Sequence, residues 1–327
     1  EEWKVRLPEL RIRNLQPKIP IIQGGMAVRI STSELAAAVA NEGGIGVIAG
    51  SGMTVDELRN EIRRAKSLTN GIIGVNIMFA VNAFAELVKT AISEKIDLVI
   101  SGAGFSRDMF SLGKESNTPI IPIVSTAKLA KISEKLGAAA VVVEGSEAGG
   151  HLGTDRSMKE IVPEVKKAVK IPVIAAGGIV DGKDAAKAFS LGADGIQIGM
   201  RFAASKESNA ADNLKEFYVK AKEEDIVLIN SPVGLPGRAI KNKFLDKIQA
   251  GIKPKIEKCS NCLKTCNIEK TPYCISQALI NSVKGNVDDG LVFAGSNVYK
   301  IDKMQTVKQI FNELVTESEK FYKTKVK

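Results

Sequence analysis

The sequence contains one histidine, His151, among 327 residues. A single imidazole cannot build a multi-histidine zinc site, and it gives little support to a Ser-His-Asp triad. Cysteine is also scarce. All four cysteines lie within one short segment, at Cys259, Cys262, Cys266 and Cys274. Scattered thiols would suggest ordinary core positions, so this clustering indicates a separate role.

Aromatic residues and long apolar runs are also rare. Aromatics make up 5% of the chain, so the core must be built from aliphatic side chains. No run reaches the roughly 18 consecutive apolar residues that indicate a membrane-spanning helix. The first ten residues lack the apolar stretch of a secretion signal. We therefore expect no membrane association and a cytoplasmic location.

The formal net charge of the chain is +9 at pH 7. The lysines are spread over segments with helical periodicity and alternate there with glutamates, which is typical of solvated helix faces. We therefore expect no nucleic-acid partner. A basic rim could instead attract an anionic substrate or cofactor, or an acidic carrier protein.

Short β-branched runs alternate with amphipathic segments along the first two thirds of the chain. Eight such runs are apolar on both faces, as in a parallel sheet covered by helices, and they span residues 19–23, 45–49, 72–77, 98–101, 120–124, 140–144, 173–176 and 195–198. Helical periodicity lies at 32–41, 55–67, 84–93, 128–136, 158–169 and 183–191, and Ser31, Thr54 and Asp181 are cap-like residues. This alternation predicts an α/β fold of the TIM (β/α)8 type, with a doubly wound sheet as the alternative.

The alternation ends after the eighth predicted strand. Residues 205–301 contain helical segments, a Pro/Gly-rich stretch at 231–238 and the cysteine cluster, whereas residues 306–322 form an amphipathic pattern. We therefore predict a barrel unit at 1–204 plus 302–327, and a smaller inserted lid or substrate subdomain at 205–301.

Glycine-rich and polar motifs follow most of the predicted strands, which in a TIM barrel puts them on the catalytic face. A glycine at a loop start can simply serve a tight turn. So many motifs after strands indicate instead a backbone that lines a ligand closely. The motifs after the last two strands, at 177–178 and 199–200, match the position where barrel enzymes bind phosphate through backbone N–H groups. Structural packing of glycine at the rim is the alternative.

His151 ends the segment EGSEAGGH, where two glycines precede it. This composition predicts an exposed, flexible loop in which a histidine has little reason to serve the core. Imidazole can take up or release a proton near neutral pH, so His151 is the candidate catalytic residue.

Together, the motifs PIIQGGM, GGIGVI, GVNIM, SGAG, VEGSEAGGHLG, IPVIAAGGI, GADGIQIGMRF, KESNA and RAIKN resemble the nitronate monooxygenase (2-nitropropane dioxygenase) family, which includes flavin-dependent enoyl-acyl-carrier-protein reductases. The resemblance covers residues 20–242 and returns near 285–295. It implies a TIM barrel that binds FMN without a covalent bond, with His151 as the catalytic residue beside the flavin. The implied FMN contacts are Gly24, Gly25, Met26, Asn76, Glu144, Gly149, Gly177, Gly178, Gln197, Gly199 and Met200, of which the last five surround the phosphate.

Two positions depart from the common family pattern. Met200 replaces a threonine, so one hydroxyl contact to the phosphate is absent and backbone donors must suffice. Glu144 replaces the glutamine of many nitronate-oxidising members, and glutamate there is more typical of the reductases.

The resemblance leaves several functions open. The first interpretation is oxidation of alkyl nitronates, with His151 assisting proton transfer. The alternative is reduction of an enoyl thioester or enoyl-acyl-carrier-protein, with NAD(P)H as electron source and an acyl carrier protein as partner. A non-catalytic flavin and iron–sulfur electron carrier is a third hypothesis, which the intact loop before His151 disfavours. The sequence also leaves open whether the protein forms a homodimer.

The cysteine spacing is C-x2-C-x3-C-x7-C. Four thiolates this close can bind a [4Fe–4S] cluster or zinc. The third option is that the four thiols bind no metal. The spacing resembles that of another group of flavin barrels, the dienoyl-CoA reductase type, in which the last gap is longer. A disulfide is unexpected in a cytoplasmic protein.

Overall fold

Eight parallel strands form a closed barrel in the computed structural model, which describes residues 7–323. They are β1 (Ile21–Gln23), β2 (Ile45–Ala49), β3 (Ile72–Met78), β4 (Leu98–Gly102), β5 (Ile120–Val124), β6 (Val141–Glu144), β8 (Val173–Ala176) and β9 (Gly195–Ile198). Strand β9 pairs with β1, Ile22 opposite Gln197, and this pairing closes the barrel. The predicted TIM barrel is confirmed.

Helices follow the strands around the outside. They are α1 (Ser33–Asn41), α2 (Val55–Leu68), α3 (Phe84–Ser93), α4 (Arg107–Glu115), α5 (Ala127–Leu136), α6 (Met158–Ala168), α7 (Gly182–Ser190) and the short α8 (Met200–Ala203). Helix α4 is not among the predicted segments. It begins after Ser106, whose side chain accepts a hydrogen bond from the Met109 N–H.

The cap predictions were right at two helices and wrong at one. Thr54 and Asp181 each form a capping box with the residue three positions later. Ser31 does not cap α1, because the cap position belongs to Thr32. The Ser31 hydroxyl instead accepts hydrogen bonds from the Gln23 side chain at 3.0 Å and the Met26 N–H at 2.9 Å. It therefore braces the first loop of the catalytic face.

The barrel core is aliphatic, as the scarcity of aromatics predicts. Alternate strand residues form one fully buried cluster, closed by Leu10 and Ile12 from the segment before β1. This cluster includes Ile22, Ile45, Val47, Leu98, Ile100, Ile121, Val142 and Ile174. A rigid, filled barrel of this kind holds the loops at its strand ends in fixed positions.

After β9 the chain forms α9 (Asp212–Lys220), β10 (Ile226–Asn230), β11 (Pro236–Ile240), α10 (Lys243–Gln249), α11 (Ile275–Val283) and α12 (Val307–Lys323). Strands β10 and β11 join the two-residue strand β7 (Gly150–His151) in a second, antiparallel sheet. The chain after β9 therefore pairs directly with the His151 segment.

Helix α12 packs against α7 and α1 on the barrel. The division into units at 1–204 plus 302–327 and 205–301 stays a prediction, and residues 1–6 and 324–327 lie outside the described part. No helix within residues 7–323 combines the length and apolarity needed to cross a membrane.

Candidate active site

A cavity of about 590 Å³ lies at the carboxyl ends of the barrel strands. Its volume falls within the range of roughly 300–1,000 Å³ that is typical of small-molecule and cofactor sites. His151 and all eleven residues that the resemblance implies as FMN contacts line it: Gly24, Gly25, Met26, Asn76, Glu144, Gly149, Gly177, Gly178, Gln197, Gly199 and Met200. The fold thus gathers every predicted residue except the cysteine cluster, of which only Cys262 lines the cavity.

Three polar side chains on the strands lack protein partners in the cavity. Gln197 on β9 is buried, and its Oε1 accepts no hydrogen bond within residues 7–323. The side chains of Asn76 on β3 and Glu144 on β6 likewise form no hydrogen bond to any described residue. Buried polar atoms are nearly always satisfied in native proteins, so Gln197 Oε1 is available to a ligand, as are the half-buried side chains of Asn76 and Glu144.

Glu144 differs from an ordinary surface carboxylate. Burial raises its pKa from 4.5 to about 7, because the charged form loses the solvation that water provides. The carboxyl group therefore exchanges a proton within the physiological pH range, which is the property of a general acid or base.

Close backbone approaches explain two of the glycines. A Cβ on Gly25 would lie 2.4 Å from the Cβ of Asn76, and a Cβ on Gly149 would lie 2.7 Å from the backbone of Ala294. Both distances are impossible for real atoms. The rim therefore needs glycine at these positions for packing within the protein.

His151 does not lie in an exposed loop, contrary to the sequence prediction. It belongs to β7, opposite Gly237 of β11, and its ring is partly buried. Its Nε2 lies 2.7 Å from the Ser231 hydroxyl, and the Phe293 ring meets it edge-on with 5.1 Å between centroids. Burial lowers the pKa of His151 to about 4, so the imidazole is neutral at pH 7.

Ser231 and Phe293 were not identified from the sequence. In the sequence, Ser231 stands out only as part of the Pro/Gly-rich stretch at 231–238. Phe293 stands out only as part of the segment near 285–295, where the family resemblance returns. Neither position carries a local signal for contact with His151, because that contact depends on the antiparallel pairing of β7 with β11.

Charged side chains brace the loop before His151. Arg238 donates from Nη2 to the Ser146 carbonyl at 2.6 Å, and Glu147 accepts from the Met158 N–H at 2.9 Å and from the Ser157 hydroxyl. Burial lowers the pKa of Arg238, and the nearby Glu147 partly opposes this shift. These bonds hold the backbone between β6 and β7 in place.

The lining of the cavity carries no lysine or arginine within residues 7–323. Its ionisable side chains include Glu144, Glu147 and His151. Much of the remaining wall is apolar, with Val81, Phe105, Leu129, Leu235, Leu263, Leu279 and Phe293. The net charge of +9 is therefore carried outside the cavity.

The cysteine segment lies against the loop between β3 and α3. Lys264 donates from its backbone N–H to the Ala80 carbonyl at 3.0 Å, and its ammonium group stands 3.8 Å from the centroid of the Phe79 ring. Cys262 accepts a hydrogen bond from the Ser276 hydroxyl at 3.0 Å, and Cys259 accepts one from the Asn261 N–H at 3.4 Å.

The four thiols are neighbours. Partial burial raises the pKa of the Cys266 thiol, and the proximity of Cys262, Cys259 and Cys274 raises it further. However, within residues 7–323 no group of three or more His, Cys, Asp or Glu side chains is arranged so that it could hold a metal ion.

A closed (β/α)8 barrel with ligand-ready polar groups and one imidazole at its strand ends defines a TIM-barrel enzyme site. The family model for nitronate monooxygenase matches residues 10–92 and 77–317. The chain belongs to the nitronate monooxygenase family.

Two curated relatives illustrate its range. A probable nitronate monooxygenase from Staphylococcus aureus is 31% identical over 279 residues, which cover 72% of this chain and 78% of that protein. The (3aS,4S,5R,7aS)-5-hydroxy-7a-methyl-1-oxo-octahydro-1H-indene-4-carboxyl-CoA dehydrogenase of Mycobacterium tuberculosis is 33% identical over 235 residues. That match covers 71% of this chain and 66% of the relative, slightly less than two thirds of its length. Family membership places the chain among oxidoreductases.

Two solved structures share the fold over nearly the whole chain. FabK from Thermotoga maritima is 35% identical, with a TM-score of 0.83 and coverage of 94% of this chain and 95% of that chain. Nitroalkane oxidase from Streptomyces ansochromogenes has a TM-score of 0.81, and the match covers 95% of this chain and 98% of that chain. At 23% identity it supports the fold alone.

Proposed function

We propose that this protein is an FMN-dependent reductase of the carbon–carbon double bond in enoyl thioesters. The similarity to FabK, an enoyl-acyl-carrier-protein reductase, supports this choice over 94% of this chain and 95% of that chain. The observation that carries it is the character of the cavity: within the described chain its lining is largely apolar, without a lysine or arginine, and it contains a carboxyl group with a near-neutral pKa.

The residues of the cavity fit FMN. The unpartnered oxygen of Gln197 and the unpartnered amide of Asn76 can bind the hydroxyl and ring groups of a flavin. Gly177 and Gly178, with φ of +103° and +71°, bring bare backbone to the cavity wall, where N–H groups can hold a phosphate. When bound, FMN supplies the electron chemistry, with NAD(P)H as the proposed electron source.

The electrostatics of the cavity favour a neutral substrate over an anionic one. An alkyl nitronate carries a negative charge, and the described lining offers Glu144 and Glu147 but no cationic side chain. Away from the backbone N–H groups at Gly177 and Gly178 that are proposed to hold the phosphate, an anion in this cavity loses solvation without gaining an opposite charge. An enoyl thioester is neutral at its reacting end, and its acyl chain suits the wall around Leu235, Leu263 and Leu279.

The chain provides the proton that a reduced double bond requires. Burial raises the pKa of Glu144 toward neutrality, so its carboxyl group can carry a proton and release it to the substrate carbon. His151 is poorly suited to that task, because its pKa of about 4 leaves it neutral at pH 7. We propose that His151 orients the substrate by hydrogen bonding, and that Glu144 supplies the proton.

Nitronate oxidation is the second candidate function. The match to the nitronate monooxygenase model and the Staphylococcus aureus relative favour it.

Anaerobic stopped-flow absorbance separates the two. We expect NADH or NADPH to bleach the bound flavin, and crotonyl thioester to restore its colour within the turnover time, whereas propionate 3-nitronate should leave the oxidised flavin unchanged. Bleaching by the nitronate but not by either nicotinamide would reverse the assignment. A flavin that responds to neither would point to an electron carrier.

The carrier of the thioester is part of the proposal. A protein with a net charge of +9 attracts an acidic acyl carrier protein over distances set by the ionic strength. We expect kcat/KM for crotonyl-acyl-carrier-protein to fall more steeply with added salt than kcat/KM for crotonyl-CoA. Equal salt dependence would argue against the protein carrier. Sedimentation of the same sample tests for a homodimer.

We further propose that Cys259, Cys262, Cys266 and Cys274 bind a [4Fe–4S] cluster. The N–H···S and O–H···S hydrogen bonds to Cys259 and Cys262 are the kind that stabilise thiolate ligands. Within residues 7–323 the thiols are neighbours, but no group of three or more of them is arranged to hold a metal ion. The proposal therefore rests on the C-x2-C-x3-C-x7-C spacing and on these two hydrogen bonds.

Metal analysis after anaerobic purification tests the cluster. We expect about four iron and four sulfide per chain, lost in Cys266→Ser while the far-ultraviolet circular dichroism stays unchanged. A content of one zinc per chain would indicate a structural zinc site in place of the proposed cluster. Metal-free protein would refute both.

A further inference from the structure

The turn between β10 and β11 presents one buried hydroxyl to His151. Backbone hydrogen bonds close this turn, from Ser231 N–H to the Leu235 carbonyl at 3.2 Å and from Gly234 N–H to the Ser231 carbonyl at 2.9 Å. Ser231 is 8% exposed. Its Oγ lies 2.7 Å from the His151 Nε2 and 3.3 Å from the Val233 N–H.

The His151 ring is held on two sides and open on the third. The Phe293 ring packs edge-on against it, and β7 pairs with β11. The Ser231 hydroxyl is hydrogen-bonded to Nε2, whereas Nδ1 has no hydrogen-bond partner among residues 7–323. Nδ1 is also not one of the fully buried polar atoms in this part of the chain that lack a partner. Since His151 lines the cavity, Nδ1 is the ring nitrogen available to a ligand.

Hydrogen-bond satisfaction distinguishes the two tautomers. A neutral imidazole has one N–H donor and one acceptor nitrogen, and a serine hydroxyl has one hydrogen to donate. If Nε2 carried the proton, Ser231 would accept from both Nε2 and Val233, and its own hydrogen would find no acceptor among the described residues. If Ser231 donates to Nε2, the Ser231 hydroxyl and Nε2 are both satisfied, and the imidazole proton resides on Nδ1, the nitrogen that faces no described partner and is left for a ligand.

We propose that Ser231 is a positioning residue that holds His151 as the neutral Nδ1–H tautomer, with this N–H directed to the ligand in the cavity. A neutral N–H is a hydrogen-bond donor of fixed direction and transfers no proton. If the proposed thioester reduction is right, its partner is the thioester carbonyl oxygen, whose polarisation activates the double bond. The tautomer itself does not depend on the reaction.

The presence of a single histidine makes the tautomer directly measurable. In the holoenzyme labelled with ¹⁵N-histidine, His151 is the source of every imidazole nitrogen signal. At pH 7 we expect a protonated, pyrrole-type Nδ1 and an unprotonated, pyridine-type Nε2. The opposite pattern, or an imidazolium pattern, would overturn the proposal.

Three variants test the role of the hydroxyl. Ser231→Ala should shift the nitrogen signals toward a mixture of tautomers, and Ser231→Thr should restore the wild-type pattern. Ser190→Ala removes a hydroxyl that bonds only the Lys187 carbonyl on the outer surface, and it should change nothing. An unchanged pattern in folded Ser231→Ala would show that Ser231 does not select the tautomer. If Ser231→Ala fails to fold, a wild-type pattern in Ser231→Thr supports the proposal and an altered one contradicts it.

Activity gives a second readout. We expect Ser231→Ala to lower kcat by about 10-fold with little change in KM, the order of one neutral hydrogen bond. Asparagine can place an N–H near the position of Nδ1, and glutamine near that of Nε2. His151→Asn should therefore retain more activity than His151→Gln. The reverse order would contradict Nδ1 as the donor. Loss of all thioester reduction with the expected nitrogen pattern intact would refute the proposed reaction and leave the tautomer standing.

Discussion

The rim of the barrel and the chain after β9 contribute to one cavity in different ways. Rim residues such as Asn76, Glu144 and Gln197 occupy strand positions, and the closed barrel places their side chains. Ser231 and Phe293 reach His151 only through an antiparallel sheet that joins distant segments. The comparison teaches that the barrel sets which groups can bind a ligand. The added sheet partly buries the imidazole among them, and this burial lowers its pKa.

Replacement of His151 tests whether the two regions meet in one active site. We expect His151→Ala to lower turnover by roughly 10²–10³-fold, the usual cost of removing one preorganised hydrogen-bond donor from an active site. Flavin should remain bound, because its proposed contacts lie on the rim. Steady-state rates and the flavin-to-protein absorbance ratio measure the two effects.

Leu228→Ala provides the matched control. Leu228 lies on β10 of the same sheet but is 62% exposed, so its removal should alter neither rate nor flavin content. Full activity in His151→Ala would separate the imidazole from catalysis. Loss of flavin instead would move His151 to the cofactor-binding group.

Glycine substitutions compare the tolerance of the two regions. A Cβ on Gly46 in β2 would lie 1.8 Å from the Ala36 carbonyl oxygen, so Gly46→Ala requires the barrel backbone to move. We expect it to lower the free energy of unfolding by about 3 kcal/mol or to prevent folding. Gly251, after α10, has φ of +77° and no atom within 4 Å of the added Cβ. Gly251→Ala should cost only the strain of the left-handed conformation, about 1–2 kcal/mol.

Urea unfolding followed by circular dichroism gives both values. Equal costs for the two variants would mean that the chain after β9 is packed as rigidly as the barrel. A cost for Gly251→Ala above that for Gly46→Ala would reverse the comparison.

The same comparison explains how much the sequence predicts. Strand periodicity and the glycine-rich or polar motifs after most strands predict the barrel and the lining of the cavity, because both are local in the chain and a closed parallel barrel brings all strand ends to one face. Thr54 and Asp181 are predictable for the same reason, since a capping box spans four residues. The roles proposed for these residues stay predictions.

Features that depend on pairing between distant segments could not be predicted from the sequence. Ser31 resembles a cap, but its hydroxyl bonds Gln23 across the first loop. His151 resembles a loop residue after two glycines, but pairing with β11 places it in a strand and lowers its pKa through burial. Neither the register of a two-residue strand nor the burial that follows has a local signature.

The pH dependence of stability gives the smallest and most specific comparison. In the folded, cofactor-free protein Glu144 keeps its proton up to about pH 7, whereas in the unfolded chain it loses the proton near pH 4.5. Glu144 therefore lowers the free energy of unfolding as pH rises between these two values. His151 remains neutral down to about pH 4, whereas the unfolded chain gains a proton near 6.5, so this group lowers stability as pH falls. Between pH 4.5 and 6.5 the two contributions have opposite slopes.

Single variants should therefore change the slope in opposite directions. Relative to wild type at each pH, the free energy of unfolding of Glu144→Gln should increase as pH rises through this window, and that of His151→Asn should decrease. Each slope is at most about 1.4 kcal/mol per pH unit. Taking differences from wild type cancels the groups that both proteins share. Slopes of the same sign would mean that only one of the two groups is held in its neutral form. Since Glu144 ends a barrel strand and His151 belongs to the second sheet, opposite slopes would show that each region keeps its own group uncharged.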